Sequence, residues 1–312
     1  MADMTQFEIG NPVRLHSKGW LKDYPSIRDY TPEQKTVRRK LESLGQPPIA
    51  AMLKKAKVAA PKPKLSKSVN LREWCPPIED QGGIGSCTAH AGVGLVEYFE
   101  RRAFGRHIDA SRLFLYKTSR NLLHWTGDTG AFLRTAMEAL TLFGVPPEEY
   151  YPYKEKEYEK EPPAFCYAFA QNYQAISYYR LDPHGTSGAD LVSRIKTNLS
   201  AGLPSMFGFT CYQSLSQADV NGGKIPFPAP GEKVDGGHAV DCVGYDDTVK
   251  IKNANVKGTE TTGAFLIRNS WGKDWGEQGY GWLPYQYVSS GLATDWWSII
   301  KNEWVDTGNF AP

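Results

Sequence analysis

Gln81-Gly82-Gly83-Ile84-Gly85-Ser86-Cys87-Thr88-Ala89-His90 is the stretch on which the reading of this chain turns. A glycine-rich loop runs into apolar residues at helical spacing, Ala91, Leu95, Val96 and Phe99, and the pattern stops near Gly105. Ser86 stands at the N-cap and Cys87 at the first helical position. A thiol placed there faces unpaired backbone N–H groups and the positive end of the helix dipole, and both favour the nucleophilic thiolate. Taken alone, a cysteine is most often a small buried hydrophobe. Its meaning depends on what the rest of the chain brings to it.

The bulk composition narrows the possibilities. The chain has 312 residues, 41% hydrophobic and 12% aromatic, enough for one large or two small domains with a substantial core. A formal charge of +2 gives no case for nucleic acid or an acidic membrane surface as partner. No apolar run approaches the about 20 residues of a membrane span, and the start Met1-Ala2-Asp3-Met4-Thr5-Gln6 lacks the basic and apolar parts of a secretory signal. The five cysteines, Cys75, Cys87, Cys166, Cys211 and Cys242, are odd in number and irregularly spaced. They form neither a disulfide framework nor a zinc pattern, so a reducing, cytoplasmic setting without metal or cofactor is the expectation.

Residues 1–66 differ from the rest. Trp20, Tyr24, Ile27 and Tyr30 make an aromatic patch, and Thr31-Pro32 opens a helix running to Leu41. The basic, Pro/Ala-rich run Lys54 to Lys67 reads as an exposed linker open to proteolysis. Beyond it the pattern is helical over about 75–165, with helices expected from Cys87, from Ser111 and over Ala131–Phe143. Over about 166–305 it turns β-rich. Strands are expected at Ala175–Tyr179, Ser205–Thr210, Ala239–Tyr245, Gly263–Arg268 and Trp296–Ile300, with one helix at Ser187–Leu199. A helical half followed by a β half predicts an α+β fold of two subdomains with a cleft between them.

A cysteine nucleophile needs a base, an orienter for that base, and donors for an oxyanion. His238, in Gly236-Gly237-His238-Ala239-Val240, sits at the mouth of a predicted strand. Asn269, just after another, offers a side-chain oxygen that can fix an imidazole. Gln81 can turn its amide back across the glycine loop to join the Cys87 N–H as an oxyanion donor. Each alone has an ordinary structural explanation. His90 competes with His238 as base, but it shares a helix with Cys87 and is poorly placed to act across a substrate.

Together Gln81…Gly85-Ser86-Cys87, Gly237-His238-Ala239-Val240, Asn269-Ser270-Trp271-Gly272…Gly279-Tyr280-Gly281 and Glu149-Tyr150-Tyr151-Pro152-Tyr153 resemble the papain family of cysteine peptidases, from about Leu71 onward. Within it the nearest likeness is to bacterial xylellain-like members with a short prosegment. The resemblance implies a helical left subdomain carrying Cys87 and a β-rich, barrel-like right subdomain carrying His238 and Asn269. It implies peptide hydrolysis through a thiolate–imidazolium pair and a covalent acyl-enzyme. It further implies that Trp271 shields the His238–Asn269 bond and that Gly130, Gly237 and Trp271 help hold substrate, Gly130 through its backbone.

This sequence departs from the family in places. Ile84 stands where a cysteine is usual, and Gly127-Asp128-Thr129-Gly130 lacks that cysteine's partner. The loop is therefore expected to take its rigidity from packing of Ile84. Thr88 replaces the usual Trp or Tyr. The Cys87–His238 spacing is close to the family's about 130–150 residues, whereas Asn269 lies farther on. The excess falls in Asp246–Thr262, read as a surface hairpin, and a second insertion, Gln213–Asp235, ends beside His238. Residues 1–66 are expected to act as a prosegment, an intramolecular inhibitor of a monomeric zymogen, with 67–312 as the catalytic domain. Acyl transfer to an amine, or peptide binding without catalysis, are the competing functions.

Overall fold

The computed structural model describes residues 17–26, 29, 31, 47–58, 65–173 and 177–310. The helix expected after Thr31 and residues 59–64 of the basic run lie outside them.

Two short pieces come first, strand β1 (Trp20–Leu21) and helix α1 (Ile49–Lys55), then strand β2 (Ser68–Asn70). The helical subdomain follows with α2 (Cys87–Phe104), α3 (Arg112–Leu122), strand β3 (Ala131–Phe132), α4 (Leu133–Leu142) and α5 (Ala164–Ala170). The second subdomain holds β4 (Ser177–Arg180), α6 (Gly188–Ser200), β5 (Ser205–Tyr212), β6 (Val234–Lys252), β7 (Glu260–Arg268), β8 (Tyr280–Pro284), α7 (Tyr285–Ser289), β9 (Ala293–Ile300) and α8 (Asn302–Asp306).

Helix α2 is the axis of the molecule. Every residue from Cys87 to Phe99 is buried, which marks a helix covered on all sides rather than one with a wet face. It packs against α3 and α4 on one side and against β6 on the other. It ends on Gly105 in the left-handed conformation (φ 73°), the backbone state that glycine adopts without steric cost. Ser111 caps α3 by accepting from the Phe114 N–H (3.2 Å), and Ser187 caps α6 by accepting from the Asp190 N–H (3.1 Å).

The sheet runs β4-β9-β5-β6-β7-β8, with β2 also pairing with β6, and its neighbours are antiparallel. Its register sets the site: His238 lies opposite Phe209, and Arg268, just before Asn269, lies opposite Asp241. Core packing includes Phe207 stacked on Trp296, with ring centres 3.9 Å apart. The Asp246–Thr262 insertion is the far end of the β6–β7 hairpin, with Lys250, Ile251 and Lys252 opposite Thr262, Thr261 and Glu260.

One expectation is corrected. Lys54–Val58 is not exposed linker, for Ala56 is fully buried. Ile49, Met52, Leu53 and Ala56 recur at the i, i+3, i+4, i+7 spacing of one helix face, and that stripe draws α1 against α8. The lysines of the run leave the stripe intact, so its basic composition concealed it. All five cysteines are buried free thiols. Among the described residues no helix is long and apolar enough to cross a membrane.

Candidate active site

Cys87, His238, Asn269 and Gln81 converge from four segments. The Cys87 thiol, at the start of α2, is hydrogen-bonded by backbone of Ala239, the residue after His238. His238 Nε2 donates to Asn269 Oδ1 at 2.7 Å, and the same oxygen accepts from the Ser270 N–H at 2.8 Å. The Trp271 ring stacks on the imidazole at 4.5 Å between centres, tilted by 26°, and Trp275 meets Trp271 edge-on. Phe209 closes another side of the imidazole, 5.9 Å away. Gln81 is tied across the cleft, since its N–H donates to the Ser270 carbonyl (2.8 Å) and its Oε1 accepts from Ser270 Oγ (2.7 Å).

The glycine loop is pinned by carboxylates as well as by buried Ile84. Asp80 accepts from the Gly82 N–H (2.9 Å), Glu155 from the Gly83 N–H (2.8 Å) and Asp128 from the Gly85 N–H (2.8 Å). Asp128 stands in the stretch that lacks the family's cysteine, so a charge-assisted hydrogen bond ties together the segments that a disulfide would have joined. The expectation that Ile84 packing supplies the rigidity is therefore half of the account: Ile84 is 7% exposed, and the carboxylates supply the rest. Tyr153 adds a further tie, its hydroxyl donating to the Gln81 carbonyl (2.8 Å) and meeting the Ser86 hydroxyl (2.7 Å). Ser86 is at the N-cap, but its side chain makes no capping bond because Tyr153 and His90 engage it.

His90 is placed elsewhere. Its Nδ1 donates to the Ser86 carbonyl (3.1 Å), its ring meets Tyr153 edge-on, and burial, aided by Arg112, lowers its pKa to about 3. It is a neutral core residue.

Residues 17–21 lie along the cleft. The Ser17 carbonyl accepts from Gln81 Nε2 (2.9 Å), and the Gly19 carbonyl accepts from the Ala131 N–H (3.0 Å). Lys18 pairs with Asp235 at the end of the second insertion. Backbone of Gly19 reaches the Cys87 thiol, and β1 continues parallel to β3. A side chain at 19 would strike the Gly85 carbonyl at 1.9 Å, so only glycine lets the segment lie this close. Gly130 lies directly beneath Gly19, but its own N–H donates to the Tyr116 hydroxyl (3.1 Å), so Ala131 makes the strand pairing there. Gly237 faces the Trp20 ring.

Under this cover Cys87 and His238 are fully buried. Burial pushes the Cys87 thiol up to about 11, against backbone hydrogen bonds from Ala239, Gly19, Thr88 and Cys87 itself that pull it down. The helix start alone predicts the opposite shift, and desolvation outweighs it in the covered site. Sequence reasoning missed Trp20, Asp128, Tyr153, Glu155 and Ser270 here. Trp20, Asp128, Tyr153 and Ser270 read in sequence only as parts of a patch, a turn or a motif, and Glu155 carries no signal at all, because each role depends on a contact distant in sequence.

Comparison with known proteins bears on the family and the fold. Residues 65–300 match the model of the papain family of cysteine proteases. The chain is 32% identical, over 94% of its length and 90% of the relative's, to an uncharacterised peptidase C1-like protein of Acanthamoeba polyphaga mimivirus. It is 27% identical to a cathepsin B-like protein, CP3, of Giardia intestinalis, over 81% of this chain and 85% of that one. Among solved structures it is similar to xylellain, a cysteine protease from Xylella fastidiosa, with 33% identity, a TM-score of 0.69, and coverage of 91% of this chain and 96% of that one. With the helical and β-rich halves and the cleft between them in view, the chain is a member of the papain family of cysteine proteases.

Proposed function

We propose that this papain-family peptidase hydrolyses peptide bonds with Cys87 as nucleophile, His238 as base and acid, Asn269 as orienter and Gln81 as oxyanion donor. The observation that carries the assignment is the 2.7 Å bond from His238 Nε2 to Asn269 Oδ1 beneath Trp271, in the cleft where the Cys87 thiol starts α2. With Nε2 engaged, Nδ1 is the nitrogen that exchanges a proton with the thiol. The Cys87 sulfur adds to the substrate carbonyl carbon, and the thiol proton resides on His238. The oxyanion is held by Gln81 Nε2 and the Cys87 N–H. His238 gives the proton to the leaving amine as the C–N bond breaks. It then takes a proton from water, which attacks the thioester and frees the carboxylic acid and Cys87.

The same reading makes residues 17–21 an intramolecular inhibitor. The Ser17 carbonyl occupies the Gln81 amide, the group that would hold a substrate oxyanion, so substrate and segment compete for one donor. Asp23 and Asp29 anchor the segment through Arg134, and Asp29 also pairs with Arg180. Mass mapping after treatment with an epoxide-type thiol trap tests the assignment. Labelling is expected on Cys87, faster once the segment is loosened by Trp20→Ala, and Cys87→Ala is expected to lower turnover by at least about a thousandfold. Full activity in Cys87→Ala, or no adduct on Cys87, would overturn it.

A further inference from the structure

Next to Gly19, whose backbone meets the thiol, the Trp20 side chain occupies a pocket with features of its own. The Trp20 ring, 6% exposed, lies over Gly208 of β5 and against Gly237 of β6. A Cβ on Gly208 would fall 1.8 Å from the ring and one on Gly237 2.7 Å from it, so both walls are cut back to backbone. At the base, Trp20 Nε1 donates to Asp295 Oδ2 (3.2 Å). Asp295 is fully buried and sits in the left-handed region (φ 64°), where β9 carries a bulge against β5. Its other oxygen accepts from Trp297 Nε1 (2.7 Å) and lies 3.3 Å from Arg180. The carboxylate is thus fixed from behind, with one oxygen turned to the indole.

This arrangement is more than a resting place for a prosegment residue. The walls and the acid belong to the β-rich subdomain and stay with it when the segment leaves. An emptied pocket would present two glycine walls and a buried acceptor with no indole N–H to satisfy it. Gly19 backbone meets the thiol and Trp20 is its neighbour, so the pocket is one residue's reach from the bond to be cut. We propose that this pocket selects peptide substrates carrying a large aromatic side chain with an N–H donor, tryptophan above all, within two residues of the scissile bond, and that Gly208 and Asp295 set the preference. Trp20 is then a self-substrate side chain that holds the pocket until displaced. The inference rests on the peptidase reading above.

The test uses the full chain carrying Trp20→Ala and peptidyl epoxides that differ only in having Trp, 2-naphthylalanine or Ala at one of the two residues preceding the electrophile. The readout is the rate of Cys87 labelling by mass spectrometry. The Trp probe is expected to label at least about tenfold faster than Ala at one of the two positions. It should also outpace the naphthyl probe, which has the size without the N–H. In Trp20→Ala/Gly208→Val the Trp advantage should vanish, because the valine branches fill the ring's place. The unsubstituted chain should give the same order at lower rates, which keeps the test independent of the folding of either variant. Equal rates for Trp and Ala while iodoacetamide still labels Cys87 would overturn this inference and leave the peptidase reading standing. Parity of the naphthyl and Trp probes would overturn the role of Asp295. Cys87 inert to every electrophile would overturn both.

Discussion

On one wall of the cleft the loop from Gln81 to Ser86 has little side chain to pack and is tied down by Asp80, Asp128 and Glu155 accepting from its glycine N–H groups. On the other wall His238 sits in a strand ladder opposite Phe209, under Trp271, and is fully buried. Apart from buried Ile84, the first wall is held by a few directional, partly solvent-exposed hydrogen bonds. The second is held by ring packing and a continuous sheet. Polar ties of the first kind set position and add little to global stability, whereas buried aromatic surface does both. The nucleophile and its base are therefore secured by different physics, and substitutions should separate the two.

The largest effect is expected on the aromatic wall. Trp271→Ala opens a cavity over the imidazole and should cost about 3–5 kcal/mol in denaturant unfolding, together with a fall in kcat. If stability is unchanged, the ring stack does not hold this wall. Asp128→Ala should do the reverse, lowering kcat/KM by about 10- to 100-fold through a displaced loop while the unfolding midpoint moves little. Asp128→Asn should recover much of the loss, since its amide oxygen still accepts from Gly85. A large stability loss in Asp128→Ala with normal kinetics would dissolve the contrast between the walls.

A smaller effect tests α2, which carries Cys87 and packs against the strand that carries His238. Glu97 of α2 accepts from the Ala110 N–H (2.8 Å), and burial raises its pKa to about 8, against the pull of Arg268 and Arg112. The folded chain thus holds this proton more tightly than the unfolded one. Its contribution to stability is complete below about pH 4.5 and is lost as pH rises towards 8. Glu97→Gln should remove that decline, read as a flatter plot of urea midpoint against pH. Parallel plots for the two chains would contradict the burial assigned to Glu97.

Much of this was legible in the sequence because it is local. The helix from Cys87 to Gly105, the Ser111 and Ser187 caps and the strands flanking His238 and Asn269 follow from periodicity and turn residues. The set of Gln81, Cys87, His238 and Asn269 was visible as motifs in a known order. The rest was hidden because it depends on distant pairings. Nothing near Trp20 announces that its ring will meet Gly208 and Asp295. Nothing in Gly127-Asp128-Thr129-Gly130 shows that Asp128 will accept from Gly85. Strand β8 is hidden because it opens on Tyr280 and Gly281, which read as part of a glycine motif, and α1 because lysines dilute its apolar stripe.

The most direct test of the whole account is the pH dependence of Cys87 alkylation by iodoacetamide, in the intact chain and in Trp20→Ala. With residues 17–21 seated, the thiol is buried and raised to about 11, so alkylation should stay slow until strongly alkaline pH. Loosening the segment restores water, the helix dipole and His238 as the dominant influences, and the midpoint should fall below the ordinary thiol value of about 8.5. A single midpoint near 8.5 in both chains would contradict both the cover and the activated thiol.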